Sequence, residues 1–423
     1  MAERRGLDPD GQAVDSGASV MHASAWASGW RGARGKGLFS AALATLLIAG
    51  CVTPPLPPPG IGARVGWAAL PGWEAERHAA AWPALTANCQ KMPARDARWR
   101  SICQDVALFA DPTDDVARAF FETRFAPYAL HNDQGGVDGL ITGYYEPLLY
   151  GSRVRSARYR YPVYQRPDDL LVVDLGAIYP ELAGRPVRGR LQGRRVVPYL
   201  SRAEITAAPS AVTPASAGQP GAANAAAEPL RGNELLWVDD PVALFFLQIQ
   251  GSGRVQLPDG SVVRLGYADQ NGHPYQSIGA QLIARGELPR EEVNLYSIRA
   301  WLAAHPHEAE DLLNSNPSFV FFSLHEPPTD ASLDGPPGSL GVPLTAERSA
   351  AVDPSFIALG SPLWLDTSLP GEEPRPYRRL LIAQDTGGAI KGAVRADVFF
   401  GHGAQAGHMK QPGRLFVLLP QAR

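Results

Sequence analysis

Sulfur is scarce in this chain, with three cysteines and four methionines in 423 residues, and neither sign of charge dominates. The 39 Lys and Arg against 42 Asp and Glu leave a formal net charge of −3, which carries no polyanion-binding signature, so no nucleic-acid partner is expected. The glycine-rich stretches match neither a P-loop nor a dinucleotide fingerprint. Gly251-Ser252-Gly253 lacks the flanking pattern of a nucleophile elbow, and His402 and His408 lack metal-ligand spacing. Neither a metal nor a cofactor is expected. What the chain does have is 45% apolar residues, 43 Gly and 39 Pro, a composition of many strands joined by turns. Its length suggests two domains.

The N-terminus carries a targeting segment. Arg31, Arg34 and Lys36 form a positive flank, and Leu38 to Ile48 is an apolar run too short to span a bilayer. It ends in Leu47-Ile48-Ala49-Gly50-Cys51, which resembles the bacterial lipobox and marks Cys51 for lipidation; an ordinary secretory signal with an incidental Cys is the other reading. Val52 rather than Asp follows the Cys, so the expected location is the periplasmic face of the outer membrane. Translation could start at Met1 or Met21. Residues 52–60, rich in proline, make an extended spacer. Cys89 and Cys103 either pair in an oxidising periplasm or stay as buried thiols.

Residues 64–128 read as mostly helical, with Thr113 capping a helix from Asp114. Leu140 to Tyr150 reads as one strand, followed by short strands at 159–164, 170–174 and 195–199. Residues 207–229 read as a flexible loop. Leu244 to Gln250 reads as a strand, and Asp259-Gly260 as a hairpin turn. Helices are expected near 277–285, 290–304 and 308–314, and short strands return from Ser318 onward.

The chemistry concentrates near the C-terminus. Asp397 stands in Arg395-Ala-Asp-Val-Phe-Phe, an apolar setting that raises a carboxyl's pKa and suits a general acid. A strand-end Asp satisfied by backbone amides or by Arg395 fits the same run. Asp385 heads Asp-Thr-Gly-Gly, where a structural turn carboxylate is the competing reading, and Asp366 closes Pro362-Leu-Trp-Leu-Asp as a turn or network residue. Lys391 could pair with an Asp, contact substrate or be solvated. Tyr144 and Tyr145 offer aromatic faces for sugar or core contacts, and Glu146 before Pro147 reads as a solvent-facing acid. Gln248, Gln250 and Ser252 alternate, so on a strand they share a polar face for sugar groups or solvent.

Asp385-Thr-Gly-Gly-Ala-Ile-Lys-Gly with Asp397, preceded by Asp366, resembles the three-aspartate domain of the membrane-bound lytic murein transglycosylase A family. Thr142-Gly-Tyr-Tyr-Glu-Pro, Gln250-Gly-Ser-Gly, Gly266-Tyr-Ala-Asp-Gln-Asn-Gly and Asn316-Pro-Ser-Phe-Val-Phe-Phe resemble its other motifs in the same order, covering roughly 64–420. The resemblance implies a mainly β fold: a double-psi β-barrel from 64–148 plus 325–423, with the three-aspartate motif at 362–420. A second β-rich (α/β) domain is inserted at 149–324, with a substrate groove between the two. Residues 1–50 would be the signal peptide and 51–63 the lipidated Cys and linker.

The implied activity is lytic cleavage of the MurNAc–GlcNAc β-1,4 bond of peptidoglycan, with formation of 1,6-anhydromuramic acid. Asp397 would be the single acid/base, supported by Asp385 and Asp366. Thr142, Tyr144, Tyr145, Gln250, Gly251, Ser252, Gly253 and Lys391 would line the groove. Partners would be glycan strands and the membrane, with room for a wall-synthesis complex, and the chain is expected to be a monomer. A two-carboxylate hydrolase using Asp397 with Glu146 or Asp385, and a non-catalytic wall-binding lipoprotein, remain as alternatives.

Overall fold

The computed structural model describes residues 57–184, 186–207, 230–325, 335–402 and 404–421, with no side-chain account at 404 and 405. The expected signal peptide, Cys51 with most of its spacer, and nearly all of the 207–229 loop lie outside these residues.

In chain order the strands are β1 (Gly60–Arg64), β2 (Phe125–His131), β3 (Asp138–Tyr144), β4 (Leu148–Ser152), β5 (Tyr161–Tyr164) and β6 (Leu171–Val173). Next come β7 (Val187–Gln192), β8 (Arg195–Val197), β9 (Glu234–Val238), β10 (Gly253–Gln256), β11 (Val262–Gln270) and β12 (Val320–His325). The last are β13 (Ser349–Val352), β14 (Pro362–Leu369), β15 (Arg375–Asp385), β16 (Arg395–Phe399) and β17 (Lys410–Pro420). One sheet runs β1-β2-β17-β14-β15-β13-β16-β3, and β3 also pairs with β17. That extra pairing closes six strands into a ring, which removes the exposed edges an open sheet would leave. β13–β15 and β16–β3 are the parallel pairs in this ring.

Ring strands are apolar on both faces because each face meets a separate core. On β14, Leu363 and Leu365 point into the ring interior with Ile141, Ala396, Val398 and Leu415. Trp364, between them, packs outward on a helical layer with Trp73, Trp82, Leu85 and Trp99. β15 repeats this, with Leu381 and Ala383 inward and Leu380 and Ile382 outward. Each such fully buried large side chain contributes ~2–3 kcal/mol, so neither layer is dispensable.

The helical layer consists of α1 (Trp82–Asn88), α2 (Met92–Arg95), α3 (Arg98–Val106) and α4 (Asp114–Arg124), preceded by short 3-10 turns. Thr113 caps α4 by accepting from the Val116 amide. Cys89, at the end of α1, is disulfide-bonded to Cys103 in α3. Gln384 on β15 is fully buried and donates to Ala84 O and Asn88 Oδ1, which bolts α1 to the strand.

The second sheet runs β12-β11-β10-β4-β9-β5, and β6-β7-β8 form a third. Against it lie α5 (Arg202–Thr206), α6 (Pro241–Gln250), α7 (Ile278–Ala284), α8 (Leu295–Ala304) and α9 (Ala309–Asn314). The hairpin expected at Asp259-Gly260 joins β10 to β11, with Gly260 at φ +84.

Two expectations are corrected here. The stretch Leu140–Tyr150 is not one strand: β3 stops at Tyr144 in the ring, and β4 begins at Leu148 in the second sheet. Leu244–Gln250 is helix, not strand. Asp240 caps the Val242 amide, Pro241 holds the first turn, and Gly251 at φ +81 ends the helix in the left-handed region. Four consecutive residues of α6, Leu244 to Leu247, are buried, so its sequence shows no amphipathic period and imitates a core strand. Gln248, Gln250 and Ser252 therefore do not share one strand face. Among the described residues no helix is long and apolar enough to cross a membrane.

Candidate active site

The parallel pairing of β3 with β16 sets Thr142 opposite Asp397 and Tyr144 opposite Phe399. Thr142 Oγ1 donates to Asp397 Oδ1 at 2.8 Å and accepts from Arg395 Nη2 at 2.9 Å. The hydroxyl thus relays an arginine to the carboxylate. Asp397 keeps a partly exposed edge while the rest of the group is packed in protein. Burial pushes its pKa up to about 6, against the opposing pull of Arg395 and of the Thr142 hydrogen bond, and the nearby Asp385 charge adds to the rise.

Asp385 ends β15 with both oxygens occupied. Its Oδ1 accepts from Ser339 N at 2.9 Å, Ser339 Oγ at 2.8 Å and Thr386 N at 2.9 Å. Its Oδ2 accepts from Tyr144 OH at 2.9 Å. Tyr144 is buried against Phe399, with ring centroids 5.3 Å apart. Its ring is therefore buried in protein, and its hydroxyl is the group turned to Asp385. Burial and the Asp385 carboxylate push that phenol well above its ordinary pKa, so it stays a donor.

A cleft of about 220 Å³ lies beside Thr142. Thr142, Gly143, Met409 and Lys410 form one wall, and Ile249, Gln250, Tyr275 and Asn294 the other. The cleft therefore runs between the ring and the second sheet's helices. Gln250 Oε1 accepts from the Tyr145 amide at 3.0 Å, tying the end of α6 to the chain just leaving the ring. Gly253 permits a close approach, because a Cβ there would come within 2.3 Å of Leu247 Cδ1. Ser252 is buried between these points, and Tyr145 is half-buried.

Two expected members have other partners. Asp366 accepts from Arg378 Nε at 2.8 Å and pairs in register with Arg378 and Arg414 on the flanking strands. It bonds to neither Asp397 nor Asp385. Lys391 is exposed, and the carboxylate it acts on is Asp353.

Glu146 is buried, not solvent-facing. Its carboxylate lies 3.4 Å from Arg264 Nη2, 3.5 Å from Arg254 Nε and 3.2 Å from His402 Nδ1. Burial pushes its pKa upward against those three neighbours. The cluster joins β10 and β11 of the second sheet to the loop after β16 at the point where the chain changes sheets. Ser339, in a Gly-Pro-rich turn without any motif of its own, is the site residue the sequence does not signal. The His/Cys/Asp/Glu groupings that hold a metal ion do not occur among the described residues.

The family described as "MltA specific insert domain" matches residues 140–323, and the "3D domain" matches residues 348–419. The chain is 34% identical over 288 residues to the membrane-bound lytic murein transglycosylase A of Escherichia coli K12. That alignment spans 66% of this chain and 65% of the relative, just under two thirds of its length. The crystal structure of MltA from Neisseria gonorrhoeae is 32% identical with a TM-score of 0.67, covering 88% of this chain and 98% of that one. The E. coli MltA structure with bound chitohexaose is 26% identical with a TM-score of 0.57, covering 80% and 89%.

Proposed function

The chain belongs to the membrane-bound lytic murein transglycosylase A family, and we propose that it cleaves the MurNAc–GlcNAc β-1,4 bond of peptidoglycan, leaving a 1,6-anhydromuramoyl end. The observation that carries this reading is Asp397, a carboxyl with a pKa of about 6 beside a cleft between two sheet systems. A relative whose structure holds chitohexaose, a β-1,4-linked glycan, supports the substrate class.

In this reading the protonated Asp397 gives its proton to the bridging oxygen as the glycosidic bond breaks. The resulting carboxylate then takes the proton of the muramic C6 hydroxyl as that oxygen closes on C1. Intramolecular attack carries a high effective molarity, so no nucleophilic carboxylate is needed. Glycoside hydrolysis ordinarily uses two carboxyl groups, one of them acting on water or on the sugar. Neither candidate for that second role is free: Glu146 faces Arg254, Arg264 and His402, and Asp385 accepts from Ser339, Thr386 and Tyr144. Arg395 and Thr142 keep the Asp397 carboxylate oriented and accessible to both proton transfers.

The finer assignments belong to the same proposal. The six-stranded ring would be a double-psi β-barrel of residues 64–148 plus 325–423, with 149–324 inserted as the second groove wall. Thr142, Tyr145 and the Gln250–Gly253 segment would line the groove, and Asp385 would support the acid through Tyr144. Cys51 would carry the lipid that holds the enzyme at the periplasmic face of the outer membrane, acting as a monomer.

The test is mass spectrometry of muropeptides after incubating sacculi with the form lacking Cys51 and everything before it. Products lighter by one water than reducing muropeptides are expected, with turnover lowered at least ~100-fold in Asp397→Asn. Reducing ends instead would mean a hydrolase, and an active, undeamidated Asn variant would remove Asp397 from the mechanism.

A further inference from the structure

We propose that a second cavity, on the side of the ring covered by the N-terminal turns, is an oxyanion site that takes a carboxylate or a phosphate. It measures about 570 Å³ and lies between residues 72–77, the turn before β13, and the outer face of β14 and β15. Four guanidinium groups line it, those of Arg77, Arg348, Arg378 and Arg379, against two carboxylates, Glu76 and Glu347.

The pairing among these groups leaves cationic donors unspent. Arg348 Nη1 donates to Glu76 at 2.9 Å and to Leu380 O at 3.2 Å, and both side chains of that ion pair are nearly buried, which holds this guanidinium in the wall of the cavity. Arg379 is spent on Glu347 at 3.1 Å and on Arg378 O. Arg378 uses only Nε, toward Asp366, so its terminal nitrogens have no partner among the described residues. Arg77 is exposed and makes no ion pair there. Two forks are therefore open to the cavity, and a guanidinium fork matches the paired oxygens of a carboxylate or phosphate. At the floor, the fully buried Trp364 keeps an indole N–H without an acceptor.

Two backbone positions also shape the cavity. Gly72, at φ +73, makes room for the Arg378 stem, since a Cβ there would lie 2.8 Å from Arg378 Cδ. Glu347 is a non-glycine residue at φ +56, held by its amide's bond to Phe399 O and by its carboxylate's bonds to Tyr377 and Arg379. Backbone strain of this kind persists where the surroundings over-determine it, and it gathers at ligand clamps. None of these groups lines the Asp397 cleft, so the proposal does not depend on what that cleft cleaves.

The test is calorimetric titration of the full chain with inorganic phosphate and, separately, with a glycan-free acidic tripeptide whose carboxylates are all free. Saturable binding of one probe per chain is expected, weakened about tenfold or more by Arg77→Ala, whose exposed position spares the fold. Arg378→Gln should weaken it further, with circular dichroism checking that variant's folding. Binding of the tripeptide alone would identify a peptide carboxylate as the natural group, and binding of phosphate alone a phosphoryl head group. If neither probe binds, or Arg77→Ala leaves the affinity unchanged, the site does not exist.

Discussion

Asp397→Asn should make the protein more stable at neutral pH while disabling it. The Asp397 carboxyl is held at about 6 instead of its ordinary 3.8, so the folded chain binds this proton more tightly than the unfolded chain does. Between those two values the native state carries more protons, and the free energy of unfolding therefore falls as pH rises through the window. At ~1.4 kcal/mol for each tenfold change in proton affinity, ionised Asp397 costs the fold about 3 kcal/mol above pH ~6. Asparagine has the shape of the neutral acid, can still accept the Thr142 hydrogen bond through its carbonyl, and never ionises. Urea unfolding from about pH 4 to pH 8 should show the variant ahead by up to ~3 kcal/mol at the top of the range, with the gap closing toward the bottom. The figure is an upper value, because Asp397 keeps a partly exposed edge. A variant less stable than the parent at pH 7.5, or a gap that does not change with pH, would refute the reasoning. It would mean that Arg395 and Thr142 outweigh burial and that Asp397 is an ordinary ionised carboxylate.

Thr142→Val removes the hydroxyl that favours ionised Asp397, so the carboxyl should rise further and the alkaline limb of the rate profile should move up by about one pH unit; an unmoved limb would place the titrating acid elsewhere. Tyr144→Phe takes one donor from the Asp385 carboxylate and should cost ~2 kcal/mol in denaturant unfolding, with kcat falling more than KM rises. Glu146→Gln removes a carboxyl that burial holds above its ordinary pKa despite Arg254, Arg264 and His402, so by the same linkage the variant should be no less stable than the parent in urea at pH 7.5; a loss of ~3 kcal/mol would show that the two arginines outweigh burial. Reducing the Cys89–Cys103 bond, whose partners are 14 residues apart, should lower stability by ~3 kcal/mol, and identical urea midpoints with and without reductant would contradict that.

The settings of Asp385 and Asp397 were easier to read from the sequence than the elements that carry them, and the reason is local. Asp385 and Asp397 stand in short segments whose glycines and apolar neighbours limit the backbone and the solvent around them, so their nature shows in a window of a dozen residues. The turn at Asp259-Gly260 and the cap at Thr113 were legible for the same reason. Leu244–Gln250 was not, because burial on every side erases the periodicity that tells helix from strand. There the decisive marks were at the ends, in Asp240-Pro241 and Gly251. Leu140–Tyr150 misled in the opposite way: a continuous apolar-aromatic run holds two strands of different sheets, and only Pro147 hints at the break.

What no local window contains is which distant groups meet. Ser339 reaches Asp385 from 46 positions away, and Thr142 reaches Asp397 from 255. Asp366 carries the opposite lesson, since its spacing from the other two aspartates suggests a shared network while the register of β14 turns it to Arg378. A carboxylate on a strand is assigned to a face by its neighbours across the sheet, not by its neighbours in the chain. On β14 that face lies beside Arg378, whose Nε bonds Asp366, so Asp366 stands in a different bonding cluster from the carboxyl that Thr142 bonds.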